Sequence, residues 1–180
     1  MQLPDIIKQL SSTARLVPAE EVESAVPCRS GLYAIFVDRA DSLPSPFSEY
    51  LKQRGTRMIY LGKASGNLQT RLVKQDLRHK QASTFFRGIG ALLGYVPPTG
   101  SLRRHKNQTN YKFSPADRQL IIGWINRHLS IRCVAMTRAD VELSEALAIS
   151  ALRPLLNWTH NPDRLQELHD LREACRRIAK

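Results

Sequence analysis

Two short β-forming runs bracket a polar insert, and the second run turns at once into a helix; few folds accommodate that order. The first run, SGLYAIFVD from Ser30 to Asp38, sets aromatic and β-branched residues after a glycine and closes on an aspartate. The second, MIYLG, opens the stretch MIYLGKASGNLQTRL (Met58 to Leu72), where Gly62 and Gly66 permit a tight corner. Asn67 then offers an N-cap for a helix over LQTRLVKQDLRHK, with Leu68, Leu72 and Leu77 as its apolar positions. Between the runs, Arg39 to Arg57 is polar, carries Pro44 and Pro46, and reads as an inserted loop with a short helix at Phe47 to Gln53. The connection fits a lengthened hairpin or a crossover.

The rest of the chain is mostly helical in pattern. Leu3 to Leu16 suits a short helix with Ile6, Ile7 and Leu10 at helical spacing. STFFRGIGALLGYVPP begins at a Ser83 or Thr84 cap and ends at two prolines. Ser114 and Pro115 start a helix whose apolar stripe is Leu120, Ile121, Trp124 and Leu129. IRCVAM is a third strand, DVELSEALAISALR a helix stopped by Pro154, and residues 162–179 a charged C-terminal helix. This order predicts an α+β fold, a small three-stranded sheet, mixed or antiparallel, flanked by helices. One domain of 1–180 is expected, with a core of about 31–157 and helices 3–16 and 162–179 as extensions.

Charge narrows the partners. Twenty-seven Lys+Arg against 16 Asp+Glu give a net charge of +11, an excess that points to a polyanion because each cation placed on a phosphate releases counterions. Cys28, Cys133 and Cys175 are far apart and form no C-x-x-C spacing, which suits reduced thiols in a cytosol. No signal peptide or long apolar run is visible, so a soluble, cytoplasmic protein without a membrane partner is expected. Gly100 to Lys112 reads as an exposed basic loop, and Arg103, Arg104, His105, Lys106 and Lys112 form its candidate nucleic-acid patch. A solvated charge run fits the same residues. Arg87 lies beside Phe85 and Phe86, aromatics of core type, and is a further candidate for a substrate backbone.

The corner between the second strand and its helix gathers positive charge. The helix start presents unpaired N–H groups that favour a phosphate. Arg71, about one turn in, can reach back toward the same anion, and Lys63 stands on the corner itself. Glu145 falls between Leu152 and Ile149 on a helical wheel, where a carboxylate needs a cation, while Glu142 falls near Arg153 as a surface pair. A single oxygen ligand with retained waters suits one Mg2+ or Mn2+ ion rather than zinc.

GLY at Gly31 to Tyr33, YLG at Tyr60 to Gly62, the arginine of the next helix and the Glu145 to Asn157 spacing together resemble the GIY-YIG nuclease family. The resemblance spans roughly Gly31 to Asn157. The long Arg39 to Arg57 insert departs from the compact family pattern and is similar to restriction-enzyme members. The family implies that Tyr33 takes a proton from the attacking water, that Tyr60 holds Tyr33 by a hydrogen bond, that Glu145 is the metal ligand, and that Asn157 braces the site. A tyrosine is a poor base unless cations favour its phenolate, and Lys63, Arg71 and a divalent ion are expected to supply that shift. Some members carry a His or Tyr one turn after the arginine; here Gln75 occupies that position. His79, two turns on, is left to catalysis, to DNA contact or to solvent.

These residues imply a divalent-metal-dependent endonuclease acting on DNA, with RNA and a homodimer left open. Two other readings stand beside it: an inactive nucleic-acid-binding module of the same fold, and a basic protein-interaction subunit.

Overall fold

The computed structural model describes residues 2–103 and 106–180. A four-stranded sheet lies at its centre, in the order β1-β4-β2-β3, where β1 is Val17–Pro18, β2 is Gly31–Val37, β3 is Met58–Ala64 and β4 is Leu129–Ala135. The flanking helices are α1 (Leu3–Ser11), α2 (Val22–Ala25), α3 (Phe47–Arg54), α4 (Thr84–Leu92), α5 (Pro115–His128), α6 (Arg138–Leu152) and α7 (Gln166–Ala179). The fold is α+β as the element order implies, and every pairing is antiparallel, one of the two arrangements expected. The sheet differs in strand number: a fourth strand, two residues long, is added at one edge. So short a strand carries no readable period, and Pro18 is tolerated there because an edge strand pairs on one side only.

The insert connects a hairpin, not a crossover. Tyr33 lies opposite Gly62 and Ile35 opposite Tyr60, with a bulge after Ile35. Within the insert, α3 stops at Gly55, whose φ of 61° is the left-handed cap that glycine adopts freely. The insert also reaches the C-terminal region: Tyr50 donates to Glu167 at 2.5 Å, and Arg54 donates to the carbonyls of Arg153 and Asp163.

All seven residues of β2 are buried, because helices cover both faces of the sheet. One face packs Leu32, Ala34, Phe36 and Leu61 against Ile6 and Leu10 of α1 and Val141, Ala148 and Ile149 of α6. The other packs Tyr33, Ile35, Ile59 and Ile131 against Phe85, Phe86 and Ile89 of α4, Ile121 and Ile125 of α5, and Leu168 and Cys175 of α7.

The helix starts follow the capping residues. Ser83 accepts from the Phe86 amide, Ser114 from Asp117 ahead of Pro115, and Thr137 from Asp140. Boundaries differ at the chain ends. The first helix stops at Ser11 instead of running to Leu16, as Arg15 takes a φ of 54° and turns the chain into β1. The last begins at Gln166 rather than Pro162. On α5 the buried stripe is Ile121 and Ile125, and Leu120 faces solvent at 59% exposure.

Candidate active site

β3 delivers Tyr60, Gly62 and Lys63 to one corner, and the following segment, Gln69–Leu77, supplies Arg71. That segment is the expected helix, but wound as a π helix. Its amides bond carbonyls five residues back, as Arg78 does to Val73 at 3.0 Å. The wider winding brings residues five apart onto one side. Arg71 Nη1 thereby sits 2.5 Å from Asp76 Oδ1, a pair that α geometry would hold about 140° apart around the axis.

Asp76 has no exposed surface. It accepts from the Tyr33 hydroxyl, from Ser83 at 2.7 Å and from Arg71, so three donors serve one buried carboxylate. Burial pushes the Asp76 carboxyl up, and Arg71 with the two hydroxyls pulls against it. On Arg71 burial opposes the charge, but Tyr33 and Asp76 prevail and hold the guanidinium firmly protonated. Asp76 is not among the candidates that the sequence offers. A buried acid beside a strand phenol leaves no periodic mark, and on an α wheel it points away from Arg71.

The two tyrosines occupy different settings. Tyr33 is fully buried; its hydroxyl goes to Asp76 and not to Tyr60, whose ring centroid is 6.4 Å away. Burial, then the Asp76 charge, raise its pKa well above the ordinary tyrosine value. That is opposite to the shift expected from neighbouring cations. Tyr60 is 8% exposed and lines a cleft with Glu145 and Asn157. Burial and Asp76 raise its pKa too, while Arg71 and Arg172 draw it down.

Lys63 reaches both glutamates of α6, Glu142 at 2.7 Å and Glu145 at 2.9 Å, and these contacts raise its pKa. Glu142, which the wheel placed beside Arg153, instead shares this lysine and accepts from Ser65. Angular agreement ignores rise: eleven residues at about 1.5 Å each separate Glu142 from Arg153 by roughly three turns. Arg153 lies past the helix end with a φ of 48° and pairs with Asp163 at 3.2 Å.

Asn157 bonds both the amide and the carbonyl of Leu61, at 2.9 and 2.8 Å. Leu156 also donates to Ile59, so the segment after α6 runs along the outer side of β3.

Two clefts meet at Glu145. One is lined by Lys63, Gly66, Arg71 and Gln75, the other by Tyr60, Thr84, Asn157 and Arg172. His79 is in neither. It is 6% exposed, packs on Phe86 with centroids 4.2 Å apart, and borders a separate hollow with Lys112 and Arg118. Catalysis at the corner is therefore not assigned to it. Arg87 is likewise buried at 6% exposure, not displayed on the surface. Arg103, Lys106 and Lys112 are exposed and border neither of these two clefts. Arg104 and His105 lie outside the described residues.

Against this geometry, the family model described as the GIY-YIG catalytic domain matches residues 31–174. The chain belongs to the GIY-YIG family. The matched span starts at the first residue of β2 and includes both tyrosines, Arg71, Asp76, Glu145 and Asn157. Membership in the GIY-YIG family gives the chain a nuclease domain of the hydrolase class, with nucleic acid as its substrate class. No match was found among curated proteins or among solved structures. No helix among the described residues is long and apolar enough to cross a membrane.

Proposed function

We propose that this protein is a divalent-metal-dependent endonuclease that hydrolyses DNA phosphodiester bonds by attack of water. One observation carries the reading: Glu145 borders two adjoining clefts, with Tyr60 on one and Lys63 and Arg71 on the other. Phosphodiester cleavage asks for an in-line nucleophile, an acceptor for its proton, and positive charge facing the phosphoryl oxygens. Arg71, anchored from behind by Asp76, supplies that charge from a fixed position.

Tyr60 is the phenol that meets the water, because it lines the cleft and its hydroxyl has no bonded partner among the described residues. Tyr33 acts behind it, holding Asp76 and through it Arg71. This exchanges the two roles that the family resemblance assigns. Asn157 fixes β3, and with it Tyr60, through its paired bonds to Leu61.

The donor set suits a hard cation. Among the described residues no group of three or more His, Cys, Asp or Glu side chains could hold a metal, and Glu145 is the acid that borders both clefts. Mg2+ and Mn2+ accept such sparse ligation, completing their shell with water and phosphate oxygens. When bound, the ion supplies Lewis-acid polarisation of the phosphoryl group.

Plasmid nicking in Mg2+ or Mn2+ tests the proposal. Glu145→Ala and Arg71→Ala should each cut at least about a hundredfold more slowly than wild type. Equal residual nicking in all three proteins would identify a contaminant and leave a binding module of the same fold. A panel of duplex, branched and single-stranded DNA, with RNA counterparts, then defines the substrate.

A further inference from the structure

Past Tyr60 and Glu145 the cleft continues toward the C-terminal helix. This cleft has a volume of about 540 Å3, and its far walls include Thr84, Trp158, His169, Arg172 and Arg176. Arg172, half-buried on α7, makes no hydrogen bond or ion pair among the described residues. Arg87, on the adjoining α4, is 94% buried by its 6% exposure. Among the described residues its Nη1 has no hydrogen-bond partner, its one side-chain hydrogen bond is a long contact of 3.5 Å to the Thr84 hydroxyl, and its guanidinium lies 5.8 Å from the Tyr111 ring centroid. Burial, then the charges of Arg172 and Arg176, work against the Arg87 cation.

Among the described residues no carboxylate bonds either Arg87 or Arg172. The acids along the same cleft are engaged elsewhere, Glu173 by Arg176 at 2.5 Å and Glu145 by Lys63 at 2.9 Å. Trp158 is engaged as well, by His169 with centroids 4.6 Å apart and by the Arg164 guanidinium at 5.1 Å. Guanidinium groups crowded together and removed from water are expensive unless an anion joins them. A phosphodiester fits the vacancy in charge: its oxygens accept from a guanidinium fork, and Thr84 offers a further donor on the same wall.

We propose that Arg172, supported by Arg87 and Arg176, forms a second phosphate subsite that holds a backbone phosphate flanking the scissile one. The proposal rests on the nucleic-acid reading of the adjacent centre and deepens it, since the substrate is then gripped along its strand rather than at one linkage. Free inorganic phosphate shares this chemistry, and the test separates the two sources.

The measurement is the salt dependence of binding of a short fluorescein-labelled oligonucleotide, by anisotropy in excess chelator so that nothing is cut. Arg172→Gln should weaken binding at low salt by about tenfold or more. It should also make the slope of log K against log salt shallower by about 0.7 on a single strand or 0.9 on a duplex. Arg172→Lys should restore the slope. Arg177→Gln, on the exposed side of the same helix, removes an equal charge and should leave the slope as in wild type.

An Arg172→Gln slope equal to wild type, or an equal loss in Arg177→Gln, overturns the subsite. So does inorganic phosphate binding that Arg172→Gln abolishes while the oligonucleotide slope stays unchanged. Should Arg172→Gln fail to fold, Arg172→Met, which keeps the apolar stem, takes its place. Plasmid nicking is scored separately. A slope change without cleavage sinks the nuclease reading and keeps the phosphate site, and cleavage without a slope change does the reverse.

Discussion

Asp76 serves Tyr33, Ser83 and Arg71 at once with no contact to solvent. Asp76→Asn removes the charge that answers Arg71, and breaking a buried pair from one side typically costs about 3–5 kcal/mol. A thermal melt should therefore show Asp76→Asn clearly less stable than wild type. Its nicking rate should fall at least about tenfold even below its own melting point, because Arg71 loses its anchor. A second residue ties stability to pH. His79 is held to a pKa of about 4 by burial, with Arg118, Arg87 and Lys112 adding repulsion. The unfolded imidazole takes its proton near 6.5. Between those values the unfolded chain binds more protons, so stability falls as pH drops from about 6.5 to about 4 and then levels. The loss attributable to His79 is on the order of 3 kcal/mol. Denaturant melts across that window should show a smaller acid loss in His79→Phe.

At the level of elements, the hairpin joins Tyr33 to Gly62 face to face. A Cβ on Gly62 would press against the Tyr33 hydroxyl oxygen and come within 2.5 Å of its ring carbon. Gly62→Ala should consequently destabilise by about 1–3 kcal/mol through overpacking and push Tyr33 away from Asp76, which a melt and a nicking assay would both register. Much of this architecture is legible in sequence. β2 and β3 announce themselves by aromatic and β-branched residues, and Ser83 and Ser114 mark helix starts by ordinary capping chemistry. The π helix is harder to see: only the five-residue step from Leu72 to Leu77, which an α wheel sets about 140° apart, marks it, and a reading on an α wheel overlooks it. Asp76 is missed for that reason, and Glu142 is misplaced because a wheel projects away axial distance. Arg172 was readable in principle: it lies four residues after Leu168 and three before Cys175, both buried, so it belongs on the packed side of a helix that otherwise reads as charged surface.

For the whole molecule, a net charge of +11 sets the range over which a polyanion is felt. Affinity for DNA should fall steeply and log-linearly with salt, in Glu145→Ala as in wild type. A flat salt response measured by anisotropy would favour an acidic protein as the partner instead. Helices from both ends of the chain enclose the sheet, α1 against α6 and α7 against α4, and the insert is tied to α7 by Tyr50 and Glu167. Neither flank of the sheet invites another strand. On one side Leu156 and Asn157 occupy the Ile59 carbonyl and both backbone groups of Leu61 on β3. On the other, β1 is two residues long and ends in a proline. Strand addition is thus hindered at both margins, and the surface of α6, where Leu143 and Leu147 stand at 73% and 54% exposure, is the apolar face left for a partner copy.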